Sequence, residues 1–180
     1  MPDSKITVYT IGHSNLPVNK LIQLLISENI KILVDVRSSP FSKYNPQFNQ
    51  EQLRRAVQKA GLEYFYAGES MGGRPDDPTC YKNGQIPDGR ANYLHLVNYQ
   101  KVMKTESFKE GISHLLELAK ADRVVVMCSE EDPKKCHRHH LIGKYLVKQG
   151  IEVLHIRAEG DPVSDQTLSN LTEQLNLFED

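Results

Sequence analysis

Short apolar runs alternate along the chain with segments in which apolar residues recur at helical spacing. The runs are rich in β-branched and aromatic residues, which predicts five strands, near residues 6–11, 31–36, 62–66, 123–128 and 151–156. Because strand and helix alternate from end to end, we predict a single α/β domain over residues 1–180. The run at 31–36 is apolar at consecutive positions, which favours a mostly parallel five-stranded sheet with helices on both faces.

The segments between the predicted strands carry helix signals. Asn49 is placed to cap the helix that follows it. Two more helices are predicted at about 92–104 and 107–121, and another from Cys136 to Gly150. A C-terminal helix is predicted near 164–178, and we expect it to pack on the domain. Its apolar face would be formed by Leu168, Leu171, Leu175 and Phe178.

Polar segments follow all five predicted strands, and they locate the expected site. In open sheets of parallel strands, ligands bind in the crevice beyond the carboxyl ends of the strands. We therefore predict one polar site at that edge. The segments are "GHSN", "DVRSSPFSKY", "GESMGGRP", "CSEEDPKKCHR" and "HIRAEG". A long irregular loop at 68–92 is also predicted, of the kind that often serves as a lid or binding loop.

Charge, cysteine content and hydropathy indicate which partners and which compartment to expect. The net charge of the 180 residues is −1, so nucleic-acid binding would need a local basic patch. Three cysteines do not form a secreted disulfide framework, and we expect them to be reduced in a cytoplasmic protein. No signal peptide and no apolar run of about 20 residues is present, so no membrane partner is expected. The oligomeric state is not indicated.

The start of the helix predicted from Cys136 to Gly150 is a candidate anion site. Cys136, His137 and Arg138 lie where the helix begins, and free N–H groups and a positive dipole end favour anions there. The alternative is that Arg138 pairs with acidic neighbours and only holds the loop.

Other polar positions on the same edge are also candidate ligand-binding residues. Paired glycines can direct backbone amides at an anion, and cations interleaved with aromatics can hold phosphates and stack on bases. The alternative is a solvated loop anchored by its aromatics. The candidates are Gly12, Ser14, Arg37, Ser42, Tyr44, Gly72, Gly73, Arg74 and His155.

Three residues are candidates for catalysis. Cys128 ends a buried strand, where its side chain can reach the crevice as a nucleophile, or can be a small buried apolar residue. Glu130 follows closely and would raise the pKa of a nearby thiol. His13 titrates near neutral pH and is either a general acid or base or a hydrogen-bonded structural residue.

A metal site is the less favoured interpretation, and no cofactor is predicted. Structural zinc sites pair cysteines two to four residues apart, whereas seven residues separate Cys128 from Cys136. Cys136 and His140 are four apart on a predicted helix and could share a face. With Cys128, and with Cys80 or His13 from another loop, they form the weak set of candidate ligands for a transition metal.

The ordered motifs resemble those of the domain-of-unknown-function 488 family, over about residues 6–156. The motifs are "TIGHSN", "LVDVRSSPFSKYNPQFN", "GGRP", "MCSEEDPKKCHRHHLI" and "LHI". The resemblance implies a compact α/β domain from an uncharacterised prokaryotic family and no established reaction. It maps the family's hallmark positions onto Gly12, His13, Ser14, Asp35, Arg37, Pro40, Gly73, Arg74, Cys128, Glu130, Cys136, His137, Arg138 and His155.

A partial likeness to rhodanese-type sulfurtransferases rests on "LVDVR" and "VVVMC". The acidic segment "SEEDPKK" departs from the short Gly- and Arg-containing loop expected there, and it disfavours a persulfide beside Cys128.

Three functions are therefore expected, in this order. The first is binding of a phosphate-bearing ligand, a nucleotide or nucleic acid, at an anion-accepting crevice, with an enzymatic role left open. The second is a thiol-dependent sulfurtransferase that uses Cys128. The third is a non-catalytic module that binds nucleic acid or protein through the loop at 68–92.

Overall fold

The computed structural model describes residues 5–89 and 91–176 and has a single twisted sheet at its centre. The strands are β1 (Thr7–Gly12), β2 (Ile32–Asp35), β3 (Glu63–Tyr66), β4 (Val124–Cys128), β5 (Glu152–Ile156) and β6 (Val163–Ser164). Their spatial order is β3-β2-β4-β1-β5-β6, and every neighbouring pair is parallel except β5 and β6. The predicted α/β fold with a mostly parallel sheet is confirmed.

The sheet has six strands where five were predicted. The additional strand, β6, is two residues long and pairs antiparallel with the end of β5, with Val163 opposite His155. Two residues are too few to show the alternation that marks a strand, so the pattern gave no signal there.

The helices are α1 (Val18–Ser27), α2 (Gln50–Lys59), α3 (Gly68–Met71), α4 (Tyr93–Leu96), α5 (Tyr99–Val102), α6 (Glu106–Ala121), α7 (Lys144–Lys148) and α8 (Asp165–Asn176). Two predicted helices differ in form. The segment at 92–104 contains α4 and α5, because Asn98 accepts a hydrogen bond from the Lys101 amide and starts a new helix. The segment from Cys136 begins with a π-helical turn, Arg138–Gly143, before α7.

Two details at helix ends also differ from the sequence prediction. Asn49 precedes α2, but its side chain accepts the amide of Ser42 and does not cap the helix. At the C-terminus, α8 is present and Leu168 is buried. Phe178, and the side chains of Leu171 and Leu175, lie outside the part of the chain that the structure describes. Within the described residues, no helix has the length and apolar character needed to cross a lipid bilayer.

Apolar side chains from the central strands alternate between the two faces of the sheet. Along β4, Val124 and Val126 face the layer of α6 and α7, whereas Val125 and Met127 face the layer of α1 and α2. All five β4 residues are buried. Both faces of the sheet are therefore covered by apolar layers. The polar residues that follow the strands lie at the carboxyl edge of the sheet.

Candidate functional site

A cavity of about 360 Å³ opens at the carboxyl ends of β2 and β4. Its volume is within the range of small-molecule sites. The walls are formed by residues 37–39, 41, 73–74, 91–94, 99, 128–130 and 135–137. The lining therefore comes from the end of β4, from the loops that follow β2 and β4, from the long segment between β3 and α5, and from the first residue of α5.

The loop after β4 passes directly over the end of β1, where Gly12 leaves room for it. A Cβ atom at Gly12 would lie 1.6 Å from the Glu130 carbonyl oxygen. Next to this contact, the amides of His13 and Ser14 donate to the carbonyls of Cys128 and Ser129 at 3.0 and 2.7 Å. Gly12 and Ser14, which were predicted to bind ligand, here fix the loop and do not line the cavity.

Arg138 is fully buried and binds the loop that follows β4. Its Nε donates to Thr10 Oγ1 at 3.1 Å, and its terminal nitrogens donate to the carbonyls of Glu130 and Glu131. The guanidinium lies outside the cavity wall, so the predicted role of Arg138 as an anion ligand has no geometric basis. The alternative prediction, that Arg138 holds the loop, describes its position, although it binds backbone carbonyls where carboxylates were expected.

Two cysteines and a histidine lie together in the cavity wall. His137 Nδ1 is 3.6 Å from Cys128 Sγ and 3.8 Å from Cys136 Sγ. Cys128 Sγ also lies 3.5 Å from a carboxylate oxygen of Glu130. His137 Nε2 is buried and has no hydrogen-bond partner among the described residues.

The two thiols differ in their affinity for a proton. The hydrogen bond to Cys136 and burial raise the pKa of Cys128 well above its usual value. Burial alone would raise the pKa of Cys136 as well. The hydrogen bond from Cys128 and the neighbouring His137 outweigh burial and lower this pKa well below its usual value. Burial and the nearby Cys136 raise the pKa of Glu130. Cys128 is therefore the thiol that keeps its proton, which makes it the weaker nucleophile of the pair.

Three cations line the cavity, and their partners differ. Arg37 is buried and binds both carboxylate oxygens of Asp35, at 2.8 and 2.6 Å. Arg74 is exposed and lies over the Tyr93 ring, 4.4 Å from its centroid. Neither Arg74 nor Lys135 has an ion-pair partner within residues 5–89 and 91–176. Two positive charges at the cavity thus form no ion pair with a carboxylate in the described part of the chain.

His13 lies behind the cavity wall. It is buried and stacked on Phe48, with ring centroids 4.2 Å apart. Nδ1 contacts the Ser14 carbonyl at 2.8 Å and Nε2 contacts Arg37 at 3.3 Å. Burial lowers the pKa of His13 to about 4, against the effect of its hydrogen bond to Ser14. A neutral imidazole between these contacts supports Arg37 and does not touch the cavity.

Of the remaining predicted site residues, Gly73 lines the cavity and the others lie apart from it. Gly72 packs against Ser38. Ser42 accepts the Asn45 amide within its own loop, and Tyr44 is 87% exposed. His140, proposed as a metal ligand with Cys136, faces the Lys134 carbonyl at 2.6 Å. The histidine beside the two cysteines is His137, which directly precedes the π-helical turn.

His155 belongs to a buried polar cluster under the sheet edge. Its Nδ1 contacts Thr10 Oγ1 at 2.7 Å, and its Nε2 contacts Asp165 at 2.9 Å. His139 Nδ1 contacts the same Asp165 oxygen at 2.6 Å. These groups serve as one another's hydrogen-bond partners. Through Thr10 they connect Arg138 to Asp165, the first residue of α8. His155 therefore lies in this cluster and not in the cavity wall, and no sequence pattern pointed to Asp165 or His139.

Sequence reasoning also missed part of the cavity wall. Tyr93, Tyr99 and Asn92 line it without having been singled out. Burial raises the pKa of Tyr99, and the thiols of Cys136 and Cys128 raise it further. Both tyrosines were hidden by the prediction of one continuous helix at 92–104, which gave no reason to place them at the site.

A family model described as a domain of unknown function, DUF488, matches residues 17–145. No curated protein matches the chain, and neither does any solved structure. The matched span contains every residue that lines the cavity, whereas β1 and α8 lie outside it.

Proposed function

This chain belongs to the DUF488 family, whose description names no activity, and we propose that it binds a small phosphate-bearing molecule in the cavity beyond β2 and β4. The observation that carries the proposal is the pair of cations, Arg74 and Lys135, that face one cavity without a carboxylate partner among the described residues. Unpaired cations in a concave site favour an anion, because the walls focus their field.

The other walls are suited to the rest of such a ligand. Ser39, Ser129 and Asn92 offer neutral hydrogen-bonding groups, which can bind phosphate oxygens. Phe41 is 69% exposed at the cavity, and the ring of Tyr93 forms another part of the wall. Aromatic rings stack on bases of any identity. These features support a nucleotide as the phosphate-bearing ligand.

Replacing Arg74 with alanine is expected to weaken binding of adenosine monophosphate about tenfold, roughly 1.4 kcal/mol. The effect is set at the low end of charge-assisted hydrogen bonds because Arg74 is exposed and screened by solvent. Isothermal titration calorimetry at low salt measures it, with inorganic phosphate as a second probe.

Arg55→Ala is the matched control for this experiment, because Arg55 is an exposed arginine on α2 whose partner is Glu51. It should leave the affinity unchanged. If neither probe binds the wild-type protein, or if both variants lose affinity equally, the cavity is not the phosphate site. Tighter binding of a single-stranded oligonucleotide than of the mononucleotide would instead favour the interaction module.

Sulfur transfer through Cys128 is the second candidate, favoured by the position of its thiol in the cavity wall. The raised pKa of Cys128 argues against it, since the thiolate is the nucleophile. Transfer of sulfur from thiosulfate to cyanide tests the idea. Activity in the wild-type protein that is lost in Cys128→Ser would support it, and no activity in either protein would exclude it.

A further inference from the structure

The geometry of Cys128, Cys136 and His137 points to a metal centre: we propose that these residues bind one zinc ion in the cavity wall and leave a fourth position open to the cavity. All three side chains are buried, and their ligand atoms lie within 4.8 Å of one another. This site goes beyond anion binding, since it needs neither Arg74 nor Lys135.

The spacing of the ligand atoms matches a tetrahedral zinc site. With Zn–S bonds of about 2.3 Å and Zn–N bonds of about 2.0 Å, a sulfur and a nitrogen on one ion lie about 3.6 Å apart. His137 Nδ1 is 3.6 Å from Cys128 Sγ and 3.8 Å from Cys136 Sγ. The two sulfurs lie within 4.8 Å of each other, so one ion can sit between the three atoms.

Hydrogen bonding within the cluster explains this spacing less well. A ring nitrogen carries at most one proton, so Nδ1 can donate to only one of the two sulfurs. An imidazole held by such a bond would approach one sulfur, yet Nδ1 lies almost equally far from both. One ion bound to all three atoms would hold Nδ1 at similar distances from both sulfurs.

The ligands are attached to fixed parts of the fold. Cys128 ends β4, and its carbonyl accepts the His13 amide at 3.0 Å. The His137 ring packs against Gly73, where a Cβ atom would lie 2.8 Å from the ring, so a larger residue there would displace it. Ligands held in place by their supports are what a metal site requires.

The donor set also selects the metal. Two cysteine sulfurs, which lose their protons when they bind a metal, and one imidazole favour zinc over magnesium or calcium, which prefer oxygen ligands. Three protein ligands with one open position are the arrangement of zinc sites that bind water or substrate. Because the cluster and the two unpaired cations line one cavity, an oxygen of a bound oxyanion is suited to the open position.

Metal loading tests the site directly. The reduced wild-type protein, freed of metal and incubated with zinc, should retain about one ion per chain after gel filtration. Cys128→Ser and Cys136→Ser should each retain less than about a tenth of that amount. Cys80→Ala is the matched control, since Cys80 is another buried free cysteine, outside the cluster, and should keep full loading.

Cobalt gives a spectroscopic readout that loss of folding cannot imitate. Cobalt-loaded wild-type protein should show tetrahedral d–d bands and thiolate-to-cobalt charge transfer, and X-ray absorption on zinc-loaded wild-type protein should give two sulfur ligands and one nitrogen. Failure of reduced wild-type protein to retain either metal would overturn the proposal. So would equal loading of wild-type protein and a Cys128→Ser, Cys136→Ser double variant. No nucleotide is added, so anion binding stands or fails separately.

Discussion

Replacing Arg138 with methionine is expected to lower the free energy of unfolding by about 3–5 kcal/mol, because several buried acceptors lose their donor at once, at about 1–3 kcal/mol each. Arg138 is fully buried and donates to Thr10 and to the carbonyls of Glu130 and Glu131. Methionine fills similar space without a donor. Urea denaturation followed by circular dichroism measures the loss, since the chain has no tryptophan.

Arg157→Ala is the matched control for Arg138. Arg157 binds the Glu131 carboxylate through two hydrogen bonds of 2.7 Å, but both side chains are about a third exposed, at 29% and 32%. Its loss should cost less than about 1 kcal/mol. Arg138→Lys should fall between the two, because an ammonium keeps the charge but lacks the planar fork. A methionine variant no less stable than Arg157→Ala would contradict the role of Arg138 in holding the loop.

Arg138 shows what the sequence can and cannot predict here. The apolar run at 123–128 and the turn after it correctly placed a strand, a loop and a helix start at the carboxyl edge. Periodicity fixes the position of a residue along an element, but not which acceptors surround its side chain. Carbonyls in the folded chain require donors, and Arg138 supplies them to the carbonyls of Glu130 and Glu131. Of the three cations that line the cavity, Arg74 and Lys135 are the two without an ion-pair partner among the described residues.

The same limit explains why two histidines lie in surroundings that the sequence did not predict. A regular helix would bring Cys136 and His140 to one face, whereas the π-helical turn at 138–143 alters that register and His137 lies beside the sulfurs. His155 was correctly placed near the edge, but its partner Asp165 follows β6, which is reached through a six-residue loop whose return path no periodicity describes. Contacts made through such loops are decided by tertiary packing.

Replacing Asp165 with asparagine is expected to lower the free energy of unfolding at neutral pH by on the order of 2–3 kcal/mol. Although burial opposes it, the hydrogen bonds from His139 and His155 lower the pKa of Asp165 to about 2. The side chain is 3% exposed, so solvent screening is small. An amide keeps the shape and loses the charge that the two imidazole N–H groups stabilise.

The pH dependence follows from the direction of this shift. A carboxyl whose pKa is lower in the folded chain stabilises it above the unfolded value of about 3.9, and this contribution is lost as the pH falls toward about 2. Burial lowers the pKa of His155, so its contribution is also lost in acid, as the pH falls below its usual value of about 6.5. The wild-type protein should therefore lose stability steadily below neutral pH.

The gap between wild-type protein and Asp165→Asn should persist from neutral pH down to about pH 4 and should narrow below that pH, because only the wild-type side chain then takes up a proton. Urea denaturation at a series of pH values measures it. Asp161→Asn, an exposed aspartate in the preceding loop, is the matched control and should follow the wild-type curve. A gap that stays constant down to about pH 3 would mean that the Asp165 charge does not stabilise the fold, and that the amide acts only through its shape.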